Sequence, residues 1–166
     1  MNQAQLAPEK TNAPVVRPML LSHGTLMCKD LARSRRFYEE FLGLEVVRHA
    51  RPAMMLRLKT GMYVVAVCIG ENVPNQHVLT HWGLNVASRE EVDRAHADAV
   101  RLKDVYGIQK INKVLARHGA YGFYFQDLDN NWWEIQHEPR AIGDFFDKGD
   151  VVDMSVRATD SAESHE

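Results

Sequence analysis

The sequence predicts an α+β fold made of two β-α-β-β-β modules packed as a pair. Three observations carry the prediction. The order strand, helix, three strands runs once over residues 19–70 and again over 78–138; a histidine, His23 or His81, stands in the first strand of each copy; and every apolar run is short and closed by turn residues. Each module is a one-sided sheet that must bury a face against something, so the two copies are expected to cover one another. On that reading residues 1–18 form a flexible leader and 139–166 a polar tail, in which "AIGDFFD" is expected to dock as a short helix through Ile142, Phe145 and Phe146.

The elements follow in order. "MLLSHGTLMC" is strand-like, and in "KDLARSRRFYEEFLG" the residues Leu31, Ser34, Phe37, Tyr38, Phe41 and Leu42 keep helical spacing, with Asp30 as N-cap and Gly43 at the end. "LEVVRHA", "AMMLRLK" and "MYVVAVCIG" are the next three strands, separated by "RP" and "TG". After "ENVPNQ" the pattern returns with "LTHWGLNVA". A helix is expected over 88–106, with a capping box from Ser88 and Glu91, an apolar stripe of Val92, Ala95, Ala99, Leu102 and Tyr106, and Gly107 at its end. "IQKINKVLAR", "AYGFYFQD" and "NWWEIQHE" complete the second module.

Composition bounds the function. With 166 residues and 45% hydrophobic content, one ordinary domain is expected. The 20 basic and 22 acidic residues are scattered, which disfavours nucleic acid as a partner. The longest apolar run, "MYVVAVCI", is far below the ~20 residues of a membrane span, and the leader lacks signal-peptide character, so a cytoplasmic protein is expected. Cys28 and Cys68 read as small buried hydrophobes with neither a disulfide nor a catalytic role.

Strand alternation sharpens the site. In "NNWWEIQHE", Trp132, Glu134 and Gln136 share one face while Trp133, Ile135 and His137 share the other. A carboxylate in such a run needs a cation, a donor or a metal. His23, Thr25 and Met27 share a face of the first strand, as do His81, Gly83 and Asn85 of the fifth; the opposite faces are apolar enough to lie under helices. By elimination the histidines are expected to point into the concavity between the modules. His49, His77, His96 and His137 read as surface or helix-side residues.

The stretch "HGTLMCKDLARSRRFYEEFLGLEVV", with "HWGLNVAS" and "FYFQDLDNNWWEIQ", resembles the vicinal oxygen chelate superfamily, which contains glyoxalase I, extradiol dioxygenases, fosfomycin-resistance enzymes and bleomycin-binding proteins. The resemblance implies an open, eight-stranded cupped sheet around one divalent metal, held at the matching positions His23, His81 and Glu134. Two imidazoles and one carboxylate suit Fe(II), with Mn, Ni, Co or Zn as the other metals that bind such donors. The last strand of module one offers no fourth ligand, and the spacing of Tyr124 and Glu134 is similar to the extradiol signature, although Leu128 and Asn130 stand in place of Pro and Gly. An Fe(II) dioxygenase on a catechol-like substrate is therefore expected. Glyoxalase-type and fosfomycin-resistance-type enzymes are the rivals, and a non-enzymatic binding protein ranks third.

Around the metal, Tyr124 and His118 are the acid-base candidates, and Thr25, Met27, Asn85 and Trp132 the substrate-binding ones. The hairpin leaves the orientation of Tyr124 open: a three-residue turn pairs it with Glu134, whereas a two-residue turn pairs Phe125 there. A homodimer is expected from the resemblance.

Overall fold

The computed structural model describes residues 15, 16, 18–59, 62–117, 119–140 and 146. His118, nearly all of the leader and the tail beyond Arg140 apart from Phe146 lie outside the described residues, and with them the expectation of a docked "AIGDFFD" helix; Phe146 itself is exposed.

Module one contains β1 (His23–Cys28), α1 (Leu31–Arg36), β2 (Glu45–Ala50), β3 (Ala53–Arg57) and β4 (Tyr63–Cys68). The Asp30 carboxylate accepts the Arg33 N–H at 2.8 Å and starts α1. The helix then widens into a π turn over Phe37–Phe41, where the Leu42 N–H donates to the Phe37 carbonyl at 3.2 Å. That turn buries the adjacent side chains Phe37 and Tyr38 together.

Module two contains β5 (His81–Asn85), α2 (Arg89–Arg101), α3 (Lys103–Tyr106), β6 (Lys110–Ile111), β7 (Leu115–Arg117), β8 (Ala120–Gln126) and β9 (Trp132–His137). The capping box forms as expected, with Ser88 Oγ accepting the Glu91 N–H at 3.3 Å and Glu91 Oε2 accepting the Ala87 N–H at 2.8 Å. The expected single helix is divided at Leu102, and Gly107 ends it at φ 69°.

The expected strand "IQKINKVLAR" is also divided. Ile111 pairs with Phe125 but Leu115 with Gly122, so the register slips by one residue and Asn112, Lys113 and Val114 lie outside the two strands.

The strands form two sheets, β1-β4-β3-β2 and β5-β9-β8-β6, with β7 pairing β8. In each sheet the first and last strands of the module lie side by side and parallel. Within the chain the two modules pair through their helix-side faces. Leu26, Cys28, Met54, Leu56 and Ala66 of the first sheet share one core with Phe123, Phe125, Trp133 and Ile135 of the second, and with Phe37, Tyr38, Val92 and Ala99 of the helical segments. Tyr38 lies on Trp133, Phe41 on Phe125, and the Trp82 indole over Gly24.

The expectation that the histidine-bearing faces meet between the two modules of one chain is therefore corrected. The aromatic faces are the larger apolar surfaces, and their burial decides which sides join.

A polar clamp adds direction to this contact. Asp129, on the β8–β9 turn, accepts from the Lys29 N–H at 2.8 Å and from Ser34 Oγ at 2.5 Å, while Asn131 donates to the Met27 carbonyl at 2.9 Å. Neighbouring Asp127 accepts from the amides of Asp129 and Asn131 and from the Trp133 indole N–H. Burial, followed by the charge of Asp129, pushes the Asp127 carboxyl up to about 7 despite those three donors.

Candidate metal centre

His81 and Glu134 meet on the outer face of the second sheet, where β5 and β9 run side by side. Nε2 of His81 lies 3.3 Å from Oε2 of Glu134. Nδ1 of His81 lies 2.8 Å from the Val78 carbonyl oxygen, which can only accept, so Nδ1 carries a proton. In the neutral ring this leaves the Nε2 lone pair facing the carboxylate, the tautomer a metal ligand requires. Glu134 is partly buried and takes no Lys or Arg partner among the described residues. This donor pair fits a divalent metal.

The β8–β9 register resolves the orientation of Tyr124. Tyr124 pairs directly with Glu134, and the Asp127 N–H to Asn131 carbonyl bond closes a turn around residues 128–130. The Tyr124 ring packs edge-on against His81 with centroids 4.9 Å apart, and its phenol is near enough to Glu134 for the carboxylate to act on it. Burial and then the neighbouring Glu134 carboxylate push the phenol up to about 12, so it stays protonated at neutral pH.

His23 lies elsewhere. It is exposed on the first sheet, where its Nδ1 is 2.9 Å from Ser22 Oγ and its ring stacks on Tyr63 at 5.3 Å. Among the described residues no three His, Cys, Asp or Glu side chains are grouped closely enough to hold a metal. Thr25 and Met27 share the His23 face, exposed and partly buried respectively. Asn85 spends its amide on the backbone of Glu138, donating to the carbonyl at 3.1 Å and accepting the N–H at 2.7 Å. Trp132 is buried and donates to the Gln76 carbonyl at 2.9 Å, which pins the loop before His81.

A cavity of about 390 Å³ opens beside Glu134 and Tyr124, lined also by Ile111, Lys113, Leu115, Arg117 and Gly122. The sequence offers Lys113 and Arg117 in the stretch before β8 without deciding which way they face. Uninterrupted alternation from Ile111, which pairs with core-facing Phe125, would send Leu115 and Arg117 to the core side; the slip between β6 and β7 turns them to the site face. On the first sheet Glu45, Val47, Met55, Arg57 and Tyr63 line a smaller groove of about 310 Å³ on the His23 face.

An imidazole and a carboxylate thus stand on neighbouring parallel strands beside a small cavity, and module one carries a histidine at the equivalent position of its first strand, in an α+β fold of two repeated modules. The chain belongs to the Glyoxalase/Bleomycin resistance protein/Dioxygenase superfamily, whose family model matches residues 20–135. Members are usually metalloenzymes and typically bind a divalent metal.

Among solved structures, the chain is similar to the fosfomycin resistance protein FosX of Listeria monocytogenes, determined with Mn(II) and sulfate: 19% identity, TM-score 0.59, covering 80% of this chain and 98% of that one. It is also similar to a glyoxalase-related enzyme from Fulvimarina pelagi, at 24% identity and TM-score 0.59, covering 74% of this chain and 90% of that one. At these identities the likeness establishes the fold. No curated protein matches the chain. Among the described residues no helix is long and apolar enough to cross a membrane.

Proposed function

We propose that this protein is a divalent-metal enzyme whose centre is completed between two copies, His81 and Glu134 coming from one and His23 from the other. We further propose that it acts as an Fe(II) dioxygenase of extradiol type on a small substrate with two adjacent oxygens. The observation that carries the reading is the anchored His81, presenting Nε2 to a Glu134 that has no Lys or Arg partner among the described residues, with Tyr124 in register beside them.

The second copy is argued from the outward turn of both histidine-bearing faces. Around His23 that face leaves Val47 59% exposed beside Met55 and Tyr63, an apolar surface suited to cover by another chain. A two-fold pairing of copies would make two equivalent centres.

A divalent metal held by His81, Glu134 and the other copy's His23 would supply Lewis-acid polarisation of a substrate with two adjacent oxygens. The protein's own groups do the rest. The Val78 carbonyl fixes the His81 tautomer and ring direction. Tyr124 holds a proton on its hydroxyl and can donate it as a hydrogen bond to a substrate oxygen in the cavity, while Ile111 and Leu115 supply an apolar wall.

The test is an anaerobically iron-loaded sample mixed with oxygen and a panel of catechols. Oxygen uptake with a change in catechol absorbance is expected; neither occurring would overturn the dioxygenase reading and leave the metal centre standing.

A second reading, fosfomycin-modifying chemistry, is favoured by Lys113 and Arg117 in the cavity wall, two cations suited to a phosphonate. Consumption of fosfomycin by the Mn(II)-loaded protein, with a thiol or with water, would establish it. Turnover of methylglyoxal hemithioacetal would instead establish a glyoxalase.

A further inference from the structure

Cys28 and Cys68 are distant in the sequence, and each read singly is a small apolar side chain. The sheet register makes them partners: Cys28 of β1 stands opposite Cys68 of β4 in the parallel ladder. Alternation sends both to the helix side of the first sheet, where Cys28 is buried with Leu26 and Ala66 and Cys68 packs against the same core. Partners on neighbouring strands have Cα atoms about 4.8 Å apart, inside the ~4.4–6.8 Å range over which a disulfide closes. Each cysteine is the last residue of its strand, so a small backbone adjustment there disturbs no further pair.

The thiol of Cys68 is turned toward β1. Its Sγ donates to the carbonyl of Lys29, the residue directly after Cys28, at 3.2 Å, and its charge acts on the Cys28 thiol. The two surroundings set an order of reaction. Cys68 is partly exposed, so a small oxidant reaches it, whereas Cys28 is sealed in the core. Burial, followed by the charge of Asp129, pushes the Cys28 thiol up to about 12, and it keeps its proton until an electrophilic sulfur stands beside it.

We propose that Cys28 and Cys68 are a reversible thiol–disulfide site, oxidised by hydrogen peroxide and independent of the metal centre. The Cys68 thiolate attacks the peroxide: an S–O bond forms, the O–O bond breaks, and hydroxide leaves and recovers the thiol's proton as water. The Cys28 sulfur then attacks the sulfenic acid on Cys68. The S–S bond forms, the S–O bond breaks, and the hydroxyl group departs as water with the Cys28 proton. Two thiols are oxidised to a disulfide and one peroxide is reduced to two waters. The bond cross-links β1 and β4, the strands that carry His23 and Tyr63.

The experiment treats the metal-free full chain with hydrogen peroxide, blocks remaining thiols with N-ethylmaleimide in denaturant, and reads intact mass and disulfide-linked peptides. Both cysteines should escape alkylation together, with a mass lower by two hydrogens, a peptide joining Cys28 to Cys68 within one chain, and return of both thiols after dithiothreitol. Cys28→Ala should instead hold an added oxygen on Cys68 that dimedone traps, and Cys68→Ala should leave Cys28 unoxidised. Alkylation of both thiols after peroxide, oxygen retained on Cys68 of the parent, or disulfides formed only between chains would overturn the proposal. The parent chain alone gives these three readouts, so a variant that fails to fold leaves the test intact.

Discussion

A mixing experiment tests whether one metal centre draws on two chains. His23 lies on the first sheet and the His81–Glu134 pair on the second, with both carrying faces turned away from the shared core. If each centre takes His23 from one copy and the pair from the other, His23→Ala and Glu134→Ala each spoil every centre in their own homodimers. When the two variants are mixed in equal amounts and allowed to exchange, about half of the dimers are hybrids, and in each hybrid one centre has both substitutions and the other has neither. About one quarter of all centres should then regain the full donor set. The assay is Mn(II) retained after gel filtration, read by elemental analysis or electron paramagnetic resonance, for each variant alone and for the mixture. Retention in the mixture equal to the average of the separate variants would refute a shared centre, as would full metal content in His23→Ala alone.

Three further outcomes are expected. Replacing Tyr124 by Phe should leave metal content unchanged and lower turnover about 10- to 100-fold, because a hydrogen-bond donor beside Glu134 is lost while the donor pair remains; unchanged turnover on an identified substrate would remove Tyr124 from the chemistry. Gly24→Ala should cost about 1–3 kcal/mol in urea unfolding, since its Cβ would fall 1.9 Å from the Trp82 ring at the contact between modules, and Trp82→Leu should relieve much of that loss. Burial, with the Asp129 charge second, raises the Asp127 carboxyl to about 7, so from about pH 4 to 7 the folded chain holds a proton that the unfolded chain has released. That contribution is complete below the unfolded value and lost as pH rises through about 7, so thermal stability should fall across the window by up to roughly 4 kcal/mol. The slope should persist in Glu134→Ala, and a flat or rising profile would contradict it.

The sequence by itself determined the modules, because its signals are local. Strand alternation, the Asp30 and Ser88 caps and the Gly43 and Gly107 stops act within a few residues, and each appears where the residue types place it. It also put His81, Glu134 and Gly83 on one face, since alternation along two paired strands leaves no other arrangement once the register is set. Tertiary structure alone decided the rest. The hairpin register, fixed by the turn over 128–130, chose Tyr124 over Phe125 as the neighbour of Glu134. One slipped residue between β6 and β7 brought Arg117 to the cavity, a change of face that period-two reasoning does not detect. Which sides of the two sheets join depended on the packing of Tyr38, Phe41 and Trp82 against distant partners, and that competition between apolar faces separated His23 from His81 and Glu134 within the chain.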